Sequence, residues 1–302
     1  MGYLFLFVSI FSGAIKGFLG KKISNQTNGL KDAVFTNFIR MLFCIPIGFI
    51  FVCVDGGAAA LKVSKEILLL SALGGLTTSV FIATWLLAVQ KSAFTSVDTF
   101  VAMGILVPIL LSFLFYGEAI AVSQILGLAL LLGAVILMSM YNNQIKQKLT
   151  LPTLILLLVV GLADGLTSFT QKIFVYNANG VSASVFNFYV YVFSAVVLLT
   201  VFLCLKNKPD NDAPVQKTAS LDKRKTLHIA VMALFLFCNT YFKTLAANYL
   251  PAVQIYPLSQ GSALILATLM SAIFFKEKIK PLCIVGLLVL FTGLLFLNVI
   301  TF

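Results

Sequence analysis

The sequence predicts an all-α membrane protein with ten transmembrane helices, arranged as two inverted five-helix repeats. The first observation is composition: 60% of residues are hydrophobic, 10% are charged, and the mean hydropathy is +1.05. Soluble domains carry about 25% charged residues. The second observation is a series of apolar segments that match the roughly 20 residues needed to cross a bilayer. The third is an internal repeat, which indicates that the chain consists of two related halves.

Ten apolar segments follow one another along the chain. Polar or glycine-containing stretches separate them, among them 25–29, 55–57, 142–143 and 177–180. The longest interruption is the polar loop 206–226 in the second half. Because lipid offers the backbone no hydrogen-bond partners, each apolar segment is predicted to be a helix. The predicted spans are 3–20, 30–54, 66–88, 93–115, 121–140, 151–174, 180–205, 227–247, 251–274 and 281–300.

The repeat relates residues 88–128 to residues 247–287 at a constant shift of 159 positions. The first repeat is assigned to 1–145 and the second to 146–302. Because five spans are an odd number, the second repeat starts on the opposite side of the membrane, and the repeats are inverted. Inverted repeats are typical of secondary transporters, whose binding site lies between them. Identical pairs include Ala88/Ala247, Ala93/Ala252, Ser112/Ser271, Phe115/Phe274, Glu118/Glu277, Ile120/Ile279, Ile125/Ile284, Gly127/Gly286 and Leu128/Leu287.

The distribution of basic residues predicts an orientation. Loops after odd-numbered spans carry fifteen of the Lys and Arg residues, and loops after even-numbered spans carry three. The positive-inside rule therefore places the odd loops in the cytoplasm and both termini outside, in a multi-pass protein of the plasma (inner) membrane. The same rule accounts for the net charge of +11. Because aromatic and basic residues are not interleaved, no nucleic-acid partner is expected.

Polar residues recur at helical spacing in several spans, which gives these helices a polar face. Spans five and ten are almost wholly apolar and are placed at the periphery, facing lipid or a second copy of the chain. A homodimer contact is left open there. The residues predicted to line a substrate or ion pathway are Lys16, Asn37, Arg40, Trp85, Asp98, Asp164, Asn187, Tyr191, Asn239, Lys243, Gln254 and Tyr256.

Two ionisable residues lie at the same internal position of aligned glycine motifs. Lys16 lies within Gly13–Gly17, and Asp164 lies within Gly161–Gly165. An ionisable group inside a membrane costs several kcal/mol unless it is paired or hydrated, so both are functional candidates. Each candidate has a plainer interpretation. Lys16 can extend to the nearby membrane face, and a pair of glycines can serve packing alone.

Arg40, Lys243 and Trp85 also carry alternative interpretations. The two basic residues either meet a substrate carboxylate or form structural salt bridges with Asp98 or Asp164. Trp85 either anchors the protein at the membrane interface or contacts a ligand. The sequence contains no serine–histidine–acid set, metal-ligand cluster or phosphate-binding glycine loop. No catalytic residue, metal or cofactor is therefore expected, and the protein is not predicted to be an enzyme.

The arrangement resembles the drug/metabolite transporter superfamily and, within it, the EamA-like family. The resemblance rests on two five-span repeats, each with a short turn bearing Glu118 or Glu277. The turn is followed by the opening Gln124-Ile125-Leu126-Gly127 or Cys283-Ile284-Val285-Gly286. The resemblance implies alternating access without nucleotide hydrolysis, a central cavity lined by spans one to four and six to nine, and spans five and ten outside it.

One position departs from the repeat: Ala267 stands where the first half has Pro108. The kink expected at Pro108 is therefore not expected in the second half. Members of the family move amino acids, small metabolites, nucleotide sugars or amphipathic drugs, so the resemblance does not select a substrate.

These features favour a secondary transporter that exports small polar or zwitterionic metabolites, such as amino-acid-like solutes. Lys16, Arg40 or Lys243 would meet a carboxylate, while Asp98 or Asp164 would meet an amine or carry a coupling proton. The expected partners are a small-molecule substrate, the lipid bilayer and a coupling proton or cation. Two alternatives remain: a flippase for lipid-linked sugars or a transporter of the nucleotide-sugar type, and a non-transporting membrane sensor or scaffold that uses the loop 206–226.

Overall fold

The computed structural model of the chain describes residues 1–92, 94–117, 121–145, 150–178, 180–206, 222–275 and 280–298. Within these ranges the chain is helical and has no β-strand, which confirms the predicted all-α class. A short 3-10 helix covers Ala58–Leu61. The α-helices are α1 Gly2–Ser24, α2 Gly29–Asp55, α3 Lys65–Lys91, α4 Phe94–Met103, α5 Leu106–Tyr116, α6 Val122–Ile145, α7 Leu151–Asn177, α8 Ala183–Lys206, α9 Lys223–Ala246, α10 Ala252–Phe275 and α11 Pro281–Asn298.

Eight described segments are long and apolar enough to cross a membrane, so the chain is a multi-pass membrane protein. Two further apolar stretches are shorter: Val122–Ala134 in α6 and Pro281–Gly293 in α11. They lie where spans five and ten were predicted, so the full number of ten spans remains a prediction. The eight segments are Gly2–Ser24, Gly29–Asp55, Lys65–Lys91, Ser96–Tyr116, Leu151–Asn177, Ala183–Leu205, Lys223–Ala246 and Ala252–Phe274.

The fourth predicted span is divided into α4 and α5. Pro108 has no N–H and cannot bond the carbonyl four residues earlier, that of Gly104. Near this point the Gly104 N–H donates to the carbonyl three residues earlier, that of Val101, at 2.9 Å. This turn is tighter than an α-helical turn, in which the bond reaches four residues back. In the second half, α10 continues through the equivalent position at Ala267. The prediction that the kink is not repeated is confirmed.

Helices of the first half pack mainly against helices of the second. α1 packs against α9, α7 against α3, α2 against α8, and α6 against α11. Since α1 and α7 hold the same place in the two predicted repeats, as do α3 and α9, exchanging the halves converts the first contact into the second. The contacts therefore follow a two-fold pattern, with the interface between the halves at its centre.

Glycines allow the closest contact between helices in this interface. A Cβ added to Gly104 would overlap the carbonyl oxygen of Gly161, and one added to Gly165 would overlap the carbonyl oxygen of Gly104. The Gly161–Gly165 pair therefore serves backbone packing against the break between α4 and α5. Gly13 of α1 faces a side chain instead of a backbone, because a Cβ on Gly13 would lie 2.9 Å from the side-chain nitrogen of Asn239.

The apolar helices α6 and α11 pack against each other and expose large side chains, among them Ile125, Leu126, Ile284 and Leu288. This agrees with the predicted peripheral position of spans five and ten. The repeat boundaries 1–145 and 146–302 and the homodimer contact remain predictions. Glu118, Glu277 and most of the loop 206–226 lie outside the described residues.

Candidate functional site

A polar cavity lies between the two halves, with a volume of ≈ 780 Å³ that includes space open to solvent. Five of its lining side chains carry charge: Lys16, Arg40, Asp98, Asp164 and Lys243. They come from α1, α2, α4, α7 and α9. Helices from both halves therefore bring these charged residues, far apart in the sequence, around one space. We call this cavity the charged chamber.

A second cavity of ≈ 500 Å³, also including open space, adjoins the first on the side of α8. Lys16, Asp164, Asn239 and Lys243 line both cavities and form the polar part of a shared wall. The remaining polar lining of the second cavity is uncharged, so we call it the neutral chamber. Those residues are Thr78, Thr167, Thr170, Gln171, Asn187, Tyr191 and Thr240.

Neutral donors bind both acids of the charged chamber. The Trp85 indole N–H donates to an Asp98 carboxylate oxygen at 3.1 Å, and the Gln260 amide donates to the Asp164 carboxylate. Trp85 and Asp164 are each 7% exposed. The burial of Trp85 and its bond to Asp98 place it in the cavity wall. Because both partners are neutral, neither carboxylate bonds a cation directly through them, and both can still accept bonds from a cationic group.

Lys243 is 7% exposed and donates from Nζ to the Ser168 hydroxyl at 3.2 Å. Lys16 is half-buried and lines both chambers. Asp164, Lys243, Arg40 and Asp98 are its charged neighbours. No ion pair within 4 Å joins these lysines to Asp98 or Asp164 within the described residues. Lys243 and Asp164 therefore attract each other without direct contact, and each lysine can still donate to a ligand.

Arg40 is the least satisfied charged group in the charged chamber. Its side chain is 3% exposed, and its Nη1 lies 3.5 Å from the sulfur of Met232. Its Nε and Nη2 have no hydrogen-bond partner among the described residues. A buried guanidinium without a counter-ion is strongly unfavourable, whereas a planar oxyanion could accept two of its bonds at once. Arg40 is therefore the strongest candidate for holding an anionic group.

Asn37 and Asn187 occupy equivalent places in α2 and α8. Each donates to the carbonyl four residues earlier, Ala33 at 2.9 Å and Ala183 at 2.8 Å. Each also bonds a neighbouring helix: Asn37 donates to the Ile82 carbonyl at 2.9 Å, and Asn187 to the Thr244 hydroxyl at 3.4 Å. Asn187 lines the neutral chamber, whereas Asn37 lies outside the lining of both chambers.

The other predicted pathway residues divide between the chambers and their surroundings. Asn239 lies in the shared wall and bonds Ser9 of α1. Tyr191 lines the neutral chamber and bonds Thr240. Tyr256 lies behind the wall, where its hydroxyl donates to the Ser168 carbonyl at 2.8 Å. Gln254 lies away from both chambers and accepts from the Tyr3 hydroxyl at 3.4 Å.

Sequence reasoning missed two lining residues on α10, Ser259 and Gln260. The available signal was a polar pair within a largely apolar span. Gln260 matters most, because its amide is the donor that satisfies Asp164. Within the described residues, no group of three His, Cys, Asp or Glu side chains could hold a metal ion.

An all-helical, multi-pass bundle with the charged chamber and the neutral chamber between two related halves has the architecture of a membrane transport protein. Residues 1–140 and 151–299 match the EamA-like transporter family. The chain therefore belongs to that family, which confirms the resemblance to the drug/metabolite transporter superfamily. Because members of the family are transporters, membership also fits the expectation that the chain is not an enzyme.

Comparison with solved structures supports the same fold. One crystal structure aligns with a TM-score of 0.66 at 15% sequence identity, covering 98% of this chain and 96% of that chain. At this identity the likeness concerns the fold alone. No curated protein sequence matches the chain.

Proposed function

We propose that this protein is a secondary active transporter that exports small polar or zwitterionic, carboxylate-bearing solutes across the plasma (inner) membrane. Arg40 is the observation that carries the proposal. Its buried guanidinium faces the charged chamber with two nitrogens that lack a partner in the described residues. Because a carboxylate can accept two parallel bonds from a guanidinium, bound substrate would offset the cost of burying this charge.

The acids of the charged chamber complete a zwitterion site. Asp164 in the shared wall attracts the substrate ammonium, while its second oxygen keeps the bond to Gln260. Lys16 and Lys243 lie beside it and hold the net charge of the wall positive. Such an arrangement binds a solute with both charges more tightly than a simple amine, which the three cations repel.

Alternating access is the mechanism we assign, with ten spans in inverted repeats and both termini outside the cell. The two-fold pattern of packing supports this assignment. Opening one side requires α1 to separate from α9 or α7 to separate from α3, and these contacts are equivalent under exchange of the halves. A carrier of this kind can expose its chambers to either side without hydrolysing a nucleotide.

Thermal unfolding of the purified protein tests the proposal. The panel contains amino acids, simple amines, nucleotide sugars and lipid phosphates. A ligand at about 100 times its dissociation constant adds about 2.7 kcal/mol to the free energy of unfolding, which raises the melting temperature measurably. We expect amino acids to raise it in the wild type and not in Arg40→Gln. A matched control is Arg224→Gln, since Arg224 is an exposed residue at the start of α9.

The other outcomes distinguish the alternatives. If lipid phosphates alone stabilise the protein, the flippase interpretation would replace that of a metabolite transporter. Stabilisation by amino acids that persists in Arg40→Gln would remove Arg40 from the site. If no solute acts, the transporter proposal fails in favour of the sensor or scaffold.

A further inference from the structure

The neutral chamber presents hydrogen-bond acceptors to its interior. The Thr167 hydroxyl donates to the Ala163 carbonyl at 2.8 Å, and the Thr170 hydroxyl donates to the Thr167 carbonyl at 2.8 Å. A hydroxyl has one proton, so these two groups can offer a ligand only their lone pairs. The chamber therefore favours a ligand that brings its own donor.

Gln171 gives this chamber an acceptor that lacks a partner. Its side chain is 3% exposed and lines the neutral chamber, one position beyond Thr170. Among the described residues no group donates to its Oε1. A buried carbonyl oxygen without a donor is unfavourable, because it has lost its bonds to water without replacement. A bound ligand with an N–H or O–H would supply the missing bond.

The two chambers thus differ in the groups that lack a hydrogen-bond partner. Arg40 offers unpartnered donors in the charged chamber, and Gln171 offers an unpartnered acceptor in the neutral chamber. Asp164 lies in the wall that both chambers share. A solute that satisfies all three carries an oxyanion, an ammonium next to it and a hydrogen-bond donor at its far end.

Helix geometry sets the length of that solute. Asp164 and Gln171 are seven residues apart on α7 and share a face, with an axial separation of about 10 Å. For acceptor oxygens as far apart as these backbones, two collinear hydrogen bonds of about 2.9 Å, one to each residue, leave about 5 Å between the two donors of the solute. The side-chain amide of a glutamine-sized amino acid spans such a distance, whereas a threonine hydroxyl is closer to its ammonium.

We infer that the transported solute is an α-amino acid with an uncharged hydrogen-bond donor near the end of its side chain, and that Gln171 determines this specificity. The inference rests on the proposed function and deepens it. A side-chain carboxylate placed directly beside Gln171 would bring acceptor oxygens to an acceptor oxygen and is disfavoured at that position. An apolar side chain of equal length would leave Gln171 without a partner.

Ligand titrations followed by thermal unfolding test this specificity, with L-glutamine, L-glutamate and L-methionine as probes. The wild type is expected to bind glutamine about tenfold more tightly than methionine, the factor given by about 1.4 kcal/mol from one hydrogen bond. Glutamate is expected to bind more weakly than glutamine. Gln171→Met should abolish the preference for glutamine over methionine, whereas Gln171→Glu keeps an acceptor oxygen and should retain it.

Thr84→Val is the matched control, because its hydroxyl bonds the Val80 carbonyl of its own helix outside both chambers. It should leave all three affinities unchanged. Equal binding of glutamine and methionine by the wild type would overturn the inference while leaving the carboxylate site intact. Retention of the preference in Gln171→Met would also overturn it. Absence of binding by all three amino acids would overturn the proposed function as well.

Discussion

Lys16 and Asp164 occupy equivalent positions in the two halves and bring opposite charges to the wall shared by both chambers. Each lies between the glycines of a Gly-xxx-Gly motif, Lys16 in α1 and Asp164 in α7. The equivalent position thus carries a positive charge in the first half and a negative charge in the second. The two related helices direct both charges toward the interface between the halves.

The first prediction concerns the coupling of this pair. Lys16→Met and Asp164→Asn should each lower the free energy of unfolding, because each removes an opposite charge from beside the one that remains. The double variant should lose less than the sum of the single variants, with a coupling of about 0.5–3 kcal/mol. Chemical denaturation in detergent measures it. Additive losses would show that the two charges act independently.

A second prediction assigns the coupling proton to Asp164. Asp164→Asn is expected to abolish transport driven by a pH gradient in proteoliposomes, since the amide cannot gain or release the proton. Solute exchange should continue with a weaker affinity, because the amide oxygen can still accept a bond from the substrate ammonium. Asp222→Asn, an exposed acid before α9, is the control and should transport normally. Gradient-driven transport by Asp164→Asn would contradict the assignment.

A third prediction concerns Arg40 in the absence of ligand. Replacing even a buried ion pair with apolar side chains is often neutral or stabilising by about 1–4 kcal/mol, and a buried charge without a counter-ion is less favourable than a pair. Arg40→Met should therefore raise the melting temperature of the ligand-free protein, although most core substitutions lower it. The same variant should lose its response to amino acids. A lower melting temperature for Arg40→Met would indicate that a protein group stabilises the guanidinium.

A fourth prediction tests the contact between α7 and the break in span four. Gly104→Ala should lower stability by about 1–3 kcal/mol, because the added methyl group overlaps the Gly161 carbonyl and forces the backbones apart. Gly133→Ala is the matched control in α6, where the closest neighbour, a Val289 methyl group, lies at 3.9 Å. Gly133→Ala should be neutral or slightly stabilising. Equal effects of the two substitutions would rule out the backbone contact.

The charged residues of the chambers could be predicted from the sequence alone. A charge within a lipid-length apolar segment is expected to face the protein interior, and this rule selects Lys16, Asp164 and Lys243, which line the charged chamber. Asn239, selected from the polar stripe of α9, lines it too. The rule is strong because the cost of exposing a charge to lipid is large compared with other packing preferences. That these residues bind the solute stays a prediction.

The uncharged polar residues could not be placed in the same way. Gln254 was predicted to line the pathway, but Gln260 lies in the cavity and bonds Asp164. The two residues are six positions apart, which turns a helix by about 600°, so their side chains point to different faces. Because an amide can bond at the membrane surface or in a cavity, hydropathy alone does not select the inward one.

The break at Gly104 has a consequence for the direction of transport under the proposed mechanism. Two identical inverted repeats would give the inward-facing and outward-facing states equal free energy, since each would be the other seen from the opposite side. Here the first half is broken at Gly104, whereas α10 of the second half is continuous and carries its proline elsewhere, at Pro257. This difference between the halves removes the symmetry that would make the two states equal in free energy, whichever solute is bound.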